Sequence, residues 1–109
     1  AGCGAGFAGA DCELATLAAD DLCGADPIEA GVLQFVEKHV EAARHLLGRA
    51  ETSAKAKARK KLVMRAARQL DAMARRTRHA KKTSEACRST MAELLGSRRA
   101  TVVALAVVP

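Results

Sequence analysis

The chain has 109 residues, enough for one domain with a modest core. Two Phe and no Trp or Tyr leave Ala, Leu, Val and Met to build that core, which predicts thin helix–helix packing. The longest uncharged apolar run, 100–108, is far shorter than the roughly 20 residues of a membrane-spanning helix, so we predict no transmembrane segment.

The net charge of +6 is divided unevenly along the chain. Residues 1–52 carry nine acidic and three basic side chains, whereas residues 53–109 carry fifteen basic and three acidic ones. Either an acidic helix packs beside a basic one, or the basic part docks on an anionic partner or on the acidic part of a second copy. The candidate basic face comprises Lys55, Lys57, Arg59, Lys60, Lys61, Arg65, Arg68, Arg75 and Arg76.

The chain opens with a small, Gly-rich stretch, residues 1–10, which predicts a flexible or extended segment. Asp11 is placed to cap a first helix that runs from Cys12 to about Cys23 and ends at Gly24.

Four cysteines, Cys3, Cys12, Cys23 and Cys87, predict two disulfides and an oxidising compartment, extracellular or periplasmic. A start at Ala1 rather than Met fits removal of a signal peptide, although loss of a tag or of an initiator Met gives the same start. The alternative is four free thiols in a cytosolic protein. Without any Cys-x-x-Cys spacing, a zinc site is not expected.

Helix geometry limits how the cysteines pair. If residues 12–23 form one helix, Cys12 and Cys23 lie about 16 Å apart along its axis, too far for a disulfide, whose Cα atoms lie within about 7 Å. Two pairings remain, Cys3–Cys12 with Cys23–Cys87 and Cys3–Cys23 with Cys12–Cys87. The short flexible segment between Cys3 and Cys12 favours the first.

Two long helices follow. Asp26 as cap, Pro27 at the first helical position and Glu29 at the third predict a helix that continues to about Ala50. The next helix, 53–82, has a narrow Ala-rich seam, and its other faces are crowded with Lys and Arg. Packed antiparallel, the two helices would form a hairpin about 40 Å long.

Thr83 or Ser84 is expected to cap a fourth helix, 85–95, that ends at Gly96. In the tail beyond it, Thr101 to Val108 is uncharged and rich in β-branched residues, which favours a strand. No obvious partner strand exists for it; the Gly-rich N-terminus is the candidate partner within the molecule, and another molecule is the candidate outside it. Such a strand predicts docking on a neighbouring subunit, by strand addition or in an apolar groove. The residues of this candidate assembly tail are Thr101, Val102, Val103, Leu105, Val107 and Val108.

Residues with catalytic chemistry do not form a recognisable site. His39 and His45 are six residues apart, about 240° around a helix, so they do not converge on one metal. His79 lies on the basic helix. The sequence has no nucleophile elbow and no phosphate-binding loop ahead of a helix, and its acidic residues are scattered. We therefore predict a non-enzymatic protein with no cofactor, metal or small-molecule substrate.

The order of these features resembles that of small Cys-containing helical modules in secreted proteins of GC-rich bacteria. The matching parts are Asp11-Cys12, Cys23, the Lys/Arg-rich stretch 28–82 and Cys87, within about residues 11–95. The resemblance implies an extracellular location and no assigned activity. Cys3 and the Val-rich tail depart from the pattern.

These observations predict an all-α fold, with a long antiparallel hairpin flanked by two short disulfide-linked helices. They divide the chain into a flexible segment 1–10, a helical domain 11–96 and an apolar tail 97–109. The leading hypothesis is an extracellular structural or assembly protein, a subunit of a homo-oligomer or filament. The alternative is a basic module that binds an anionic polymer or surface, such as nucleic acid, polysaccharide or an anionic membrane.

Overall fold

Helices account for all the regular secondary structure in the computed structural model of this chain, which describes residues 2–18 and 21–107. Within that part of the chain the fold is all-helical, as predicted, with no strand. The α-helices are α1 (Gly6–Ala15), α2 (Ala30–Glu51), α3 (Ala56–Arg78) and α4 (Glu85–Ala104). Short 3-10 turns, Thr16–Ala18 and Leu105–Val107, follow α1 and α4.

The first helix begins earlier than predicted and ends earlier too. Residues 6–10, expected to be extended, form the first half of α1, and the helix stops at Ala15 rather than near Cys23. Glycine disfavours a helix by about 1 kcal/mol per residue relative to Ala, but Ala10 and Leu14 are fully buried here, and that burial outweighs the glycine penalty. Helix α1 therefore crosses the predicted boundary between residues 10 and 11.

Both disulfides follow the pairing that the sequence favoured. Cys3 bonds Cys12 with a Cα–Cα distance of 5.4 Å, and Cys23 bonds Cys87 at 5.3 Å. The premise used to exclude Cys12–Cys23 was wrong, because no single helix joins those two residues. The first bond is local, whereas the second ties the segment before α2 to α4.

Helix α2 begins at Ala30, three residues after the expected start at Pro27. Asp26 does not cap it, because its Oδ2 accepts a hydrogen bond from Oγ of Ser84 at 3.2 Å. The N–H of Glu29 donates to Oγ1 of Thr83 at 3.2 Å. Asp26 and Glu29, which were predicted to begin α2, therefore connect the chain before α2 to the segment between α3 and α4.

Helix α3 is shorter than the predicted 53–82, and it packs along α2. Nη2 of Arg76 lies 3.1 Å from the position that a Cβ would take at Gly31. Nearer the middle, Nδ1 of His39 donates to Oε1 of Gln69 at 2.6 Å. α1 contacts α2, α4 contacts α3, and α1 also contacts α4. The longest dimension of the molecule is 44 Å.

The core is aliphatic, as the composition predicts. Leu14, Leu47, Leu70 and Met91 are its largest fully buried side chains from the four helices. Phe7 and Phe35 are only partly buried and pack against this core. The buried alanines of α2 and α3 are Ala43, Ala50, Ala66 and Ala67.

Helix α4 differs most from the prediction. It passes through Gly96, where a stop was expected, and continues to Ala104. The tail that was expected to be a strand is helical over 101–104 and forms a 3-10 turn over 105–107. Val102 and Leu105 are buried in the core, which accounts for the continued helix. With 20 residues the helix is nearly as long as α2, with 22, and α3, with 23, and it crosses the predicted boundary at residue 96.

Replacing Ser84 by Ala is expected to lower the free energy of unfolding by about 1 kcal/mol, the usual effect of losing a helix N-cap. Oγ of Ser84 accepts the N–H of Cys87 at 3.1 Å, which confirms one of the two predicted caps. Urea unfolding followed by circular dichroism measures the change. Ser89→Ala in the same helix is the control, because Ser89 is exposed and makes no side-chain hydrogen bond to a described residue. Equal effects of the two substitutions would contradict a stabilising cap.

Candidate functional site

The candidate basic face divides into exposed and partly buried residues. Arg59 and Arg76 are partly buried and turn away from the rest. Nη1 of Arg59 donates to the carbonyl oxygen of Ser53 at 3.5 Å, and Arg76 lies against Gly31 of α2. These two residues are therefore removed from the candidate set. The exposed members are Lys55, Lys57, Lys60, Lys61, Arg65, Arg68 and Arg75.

Five exposed cations form one band along the outer face of α3. At 3.6 residues per turn they fall within an arc of about 80°, and their Cα atoms extend over about 27 Å of the helix axis. The opposite face of the same helix, which includes Val63, Ala66 and Leu70, is buried in the core. We call this band the basic stripe, and its residues are Lys57, Lys61, Arg65, Arg68 and Arg75.

The stripe has no acidic partner within the described residues. The ion pairs found in 2–18 and 21–107 are Arg44–Asp11 at 2.9 Å and Arg99–Asp71 at 2.7 Å. Asp71 is the only acidic residue of α3, and its carboxylate is taken up by a guanidinium from α4. The charge of the stripe is therefore left to solvent and counter-ions.

One carboxylate of the acidic first half pairs away from the stripe. Arg44 of α2 donates from Nε and Nη2 to the two carboxylate oxygens of Asp11 in α1. The hydrogen bond and the charge of Asp11 raise the pKa of the Arg44 guanidinium above its usual value. Both groups are more than a third exposed, so this pair contributes little to stability. It does show that Asp11 of α1 faces a cation of α2 and not the stripe on α3.

Long side chains of the stripe enclose a shallow groove of about 620 Å³. Every residue around it belongs to α3, so the groove is a gap between flexible side chains on one helix and not an enclosed binding cavity. Such a surface suits an extended ligand that crosses several cations better than a compact one. The lining residues are Lys57, Lys60, Lys61, Met64, Arg65 and Arg68.

The candidate assembly tail lies largely inside the molecule. Val102 and Leu105 are buried, and Thr101 and Val103 are partly buried. Val107 is 80% exposed, and Val108 lies outside the described residues. The unpaired strand that motivated docking on a neighbouring subunit is therefore replaced by a helix that packs in its own domain.

His39 has a contact that the sequence analysis missed. Besides its hydrogen bond to Gln69, its ring lies 4.1 Å from that of Phe35, measured between centroids. The i, i+4 spacing of Phe35 and His39 on a helix could have indicated the stacking, but nothing local points to Gln69. Over 2–18 and 21–107, no three His, Cys, Asp or Glu side chains are arranged to hold a metal ion.

The fold and the stripe define a disulfide-linked helical protein with one cationic helix face. Comparisons of the chain with protein-family models, with curated proteins and with solved structures gave no match. In the part of the chain that the structure describes, no helix combines the length and the apolar character needed to cross a bilayer.

Proposed function

We propose that this protein is an extracellular or periplasmic module that binds an anionic polymer through the basic stripe. One observation carries the proposal: five exposed cations share one face of α3, and no described carboxylate lies within 4.0 Å of them. The two disulfides support an oxidising compartment. The contacts between α2 and α3 support an antiparallel hairpin, whose partner helix holds the stripe rigid.

The stripe gains affinity from many weak contacts. One exposed ion pair contributes little, because water and salt screen it within about 8–10 Å. A polymer that carries one charge every few ångströms meets several cations at once, and each contact releases a condensed counter-ion. Because α3 is already folded and packed, its backbone loses little conformational entropy on binding.

A polymer fits this surface better than a membrane or a stacked base. An amphipathic helix binds a membrane by burying its apolar face in lipid, but the apolar face of α3 is already buried in the core. Proteins that bind single strands stack bases on aromatic rings, and the chain has two Phe and no Trp or Tyr. Recognition is therefore expected to depend on the density of negative charge along the polymer backbone.

The test replaces three stripe cations at once, Lys61→Gln, Arg65→Gln and Arg68→Gln. A short labelled DNA duplex serves as a calibrated phosphate polymer, with labelled heparin as a sulfated one, and fluorescence anisotropy gives the dissociation constant at several salt concentrations. If all five stripe cations meet phosphates, duplex affinity should fall roughly 500-fold between 50 and 200 mM salt, and only about 10-fold in the variant. The same shallow dependence in the wild-type protein would contradict the proposal.

The matched control removes three exposed cations outside the stripe, Lys38→Gln, Lys81→Gln and Lys82→Gln. It has the same net charge as the stripe variant, so it should keep most of the wild-type salt dependence. Equal losses in the two variants would show that net charge, and not the stripe, governs binding. A second copy of the chain, through its acidic part, is the other anionic partner to test. Sedimentation of the protein alone at low and high salt measures self-association. Self-association that is lost at high salt would indicate that a second copy binds the stripe.

A further inference from the structure

The two disulfides differ in their access to solvent. Cys12 is exposed and Cys3 is partly exposed, so an external thiol can approach the bond between them. Cys87 is 1% exposed and belongs to the hydrophobic core, where it holds the sulfur of Cys23. A thiolate must reach a sulfur atom along the S–S axis to exchange with it. Because Cys23 is only partly exposed and Cys87 is buried, the second bond is less accessible in the folded protein than the first.

Opening the first bond leaves the core intact. The segment that the bond holds, residues 2–5, has no buried side chain, and Gly2, Gly4 and Ala5 are exposed. The helix that carries Cys12 has independent anchors, because Ala10 and Leu14 are buried and Asp11 pairs with Arg44. The fold therefore does not require this bond in order to keep α1 in place.

The chain before α1 is shaped to bring Cys3 back to Cys12. Gly4 and Gly6 have φ values of +87° and +71°, which side chains rarely allow. A Cβ at Gly9 would also collide with the backbone of Gly4. Glycine at these positions allows the tight return that closes a loop between residues nine apart, and such a short loop re-forms its bond readily after opening.

We propose that Cys3–Cys12 is a thiol–disulfide exchange site, opened by an external thiol while Cys23–Cys87 stays intact. The external thiolate attacks Sγ of Cys12, the Cys3–Cys12 bond breaks, and Sγ of Cys3 leaves with the electron pair and takes a proton. A second thiol then releases Cys12 as a thiol and departs in a disulfide with the first. Two external thiols are oxidised and one protein disulfide is reduced. This proposal does not depend on polymer binding.

The experiment uses the folded protein with two thiol probes, reduced glutathione and a thioredoxin that lacks its second active-site cysteine. After acid quenching and alkylation, peptide mass spectrometry identifies which cysteines carry an adduct or an alkyl group. We expect adducts at Cys12, or at Cys3 after internal exchange, at least about 10-fold faster than any at Cys23 or Cys87, because Cys87 is buried and Cys23 is only partly exposed. Circular dichroism should show the helices retained.

Denaturation in concentrated urea is the control, because it exposes both bonds and should bring their rates to within a few-fold. Adducts with glutathione alone would indicate a small thiol as the reactant, and adducts with thioredoxin would indicate a protein thiol. Equal rates for the two bonds in the folded protein, faster reaction at Cys23–Cys87, or no adduct with either probe would each overturn the proposal.

Discussion

Val102→Asp should unfold the domain or lower its free energy of unfolding by at least about 3 kcal/mol, because it places an unpaired carboxylate in the core. Val102 is 1% exposed and lies near the end of α4, which packs on α3. A domain of this size has only about 5–15 kcal/mol of stability in total. The measurement is urea unfolding of both proteins, followed by circular dichroism.

Val107→Asp provides the matched control, since it makes the same substitution five residues later on a side chain that is 80% exposed. It should change the free energy of unfolding by less than about 0.5 kcal/mol. The pair also separates two roles for the tail. If Val102→Asp left a folded monomer of normal stability and only abolished self-association, the tail would be a docking element after all.

The tail also shows where local sequence signals fail. A run of β-branched residues after Gly96 favours a strand, yet Val102, Leu105 and Ala106 also have the three- and four-residue spacing of a helix face. That spacing places them against α3, and burying apolar surface is worth more than the small difference in intrinsic propensity. Only knowledge of the neighbouring helix decides between the two patterns.

The Gly-rich N-terminus was mispredicted for the same physical reason. Glycines indicated an extended segment, but the burial of Ala10 and Leu14 holds residues 6–15 as a helix. Long periodic elements were easier to predict. Part of the apolar seam of α3 and the cap at Ser84 are repetitive or local patterns, and the structure contains both.

The basic site was only partly predictable. Composition identified the cationic helix, and its helical period could have separated the stripe from Arg59 and Arg76. The sequence could not show which charges are neutralised. Asp71 lies beside the stripe along α3, but it pairs with Arg99, 28 residues later, and this depends on how α4 packs. That no described carboxylate pairs with the stripe is therefore a property of the tertiary structure.

Removing the second disulfide through Cys23→Ala and Cys87→Ala should destabilise the protein far more than removing the first. A bond restricts the unfolded chain more when it closes a longer loop, and the sequence separations are 64 and 9 residues. Loop entropy alone gives losses of about 4 kcal/mol for Cys23–Cys87 and about 2.5 kcal/mol for Cys3–Cys12. Because Cys87 is also fully buried, its truncation leaves a cavity that adds to the first value.

Urea unfolding of this double variant and of Cys3→Ala/Cys12→Ala measures both losses under the same conditions. An aliphatic core with few aromatic contacts has little stability in reserve, so the variant that lacks Cys23–Cys87 should be partly unfolded without denaturant. The variant that lacks Cys3–Cys12 should remain folded, because α1 keeps its buried contacts with α2. The opposite order would mean that the N-terminal bond is structural, and the exchange proposed for it would then unfold the protein instead of releasing residues 2–5.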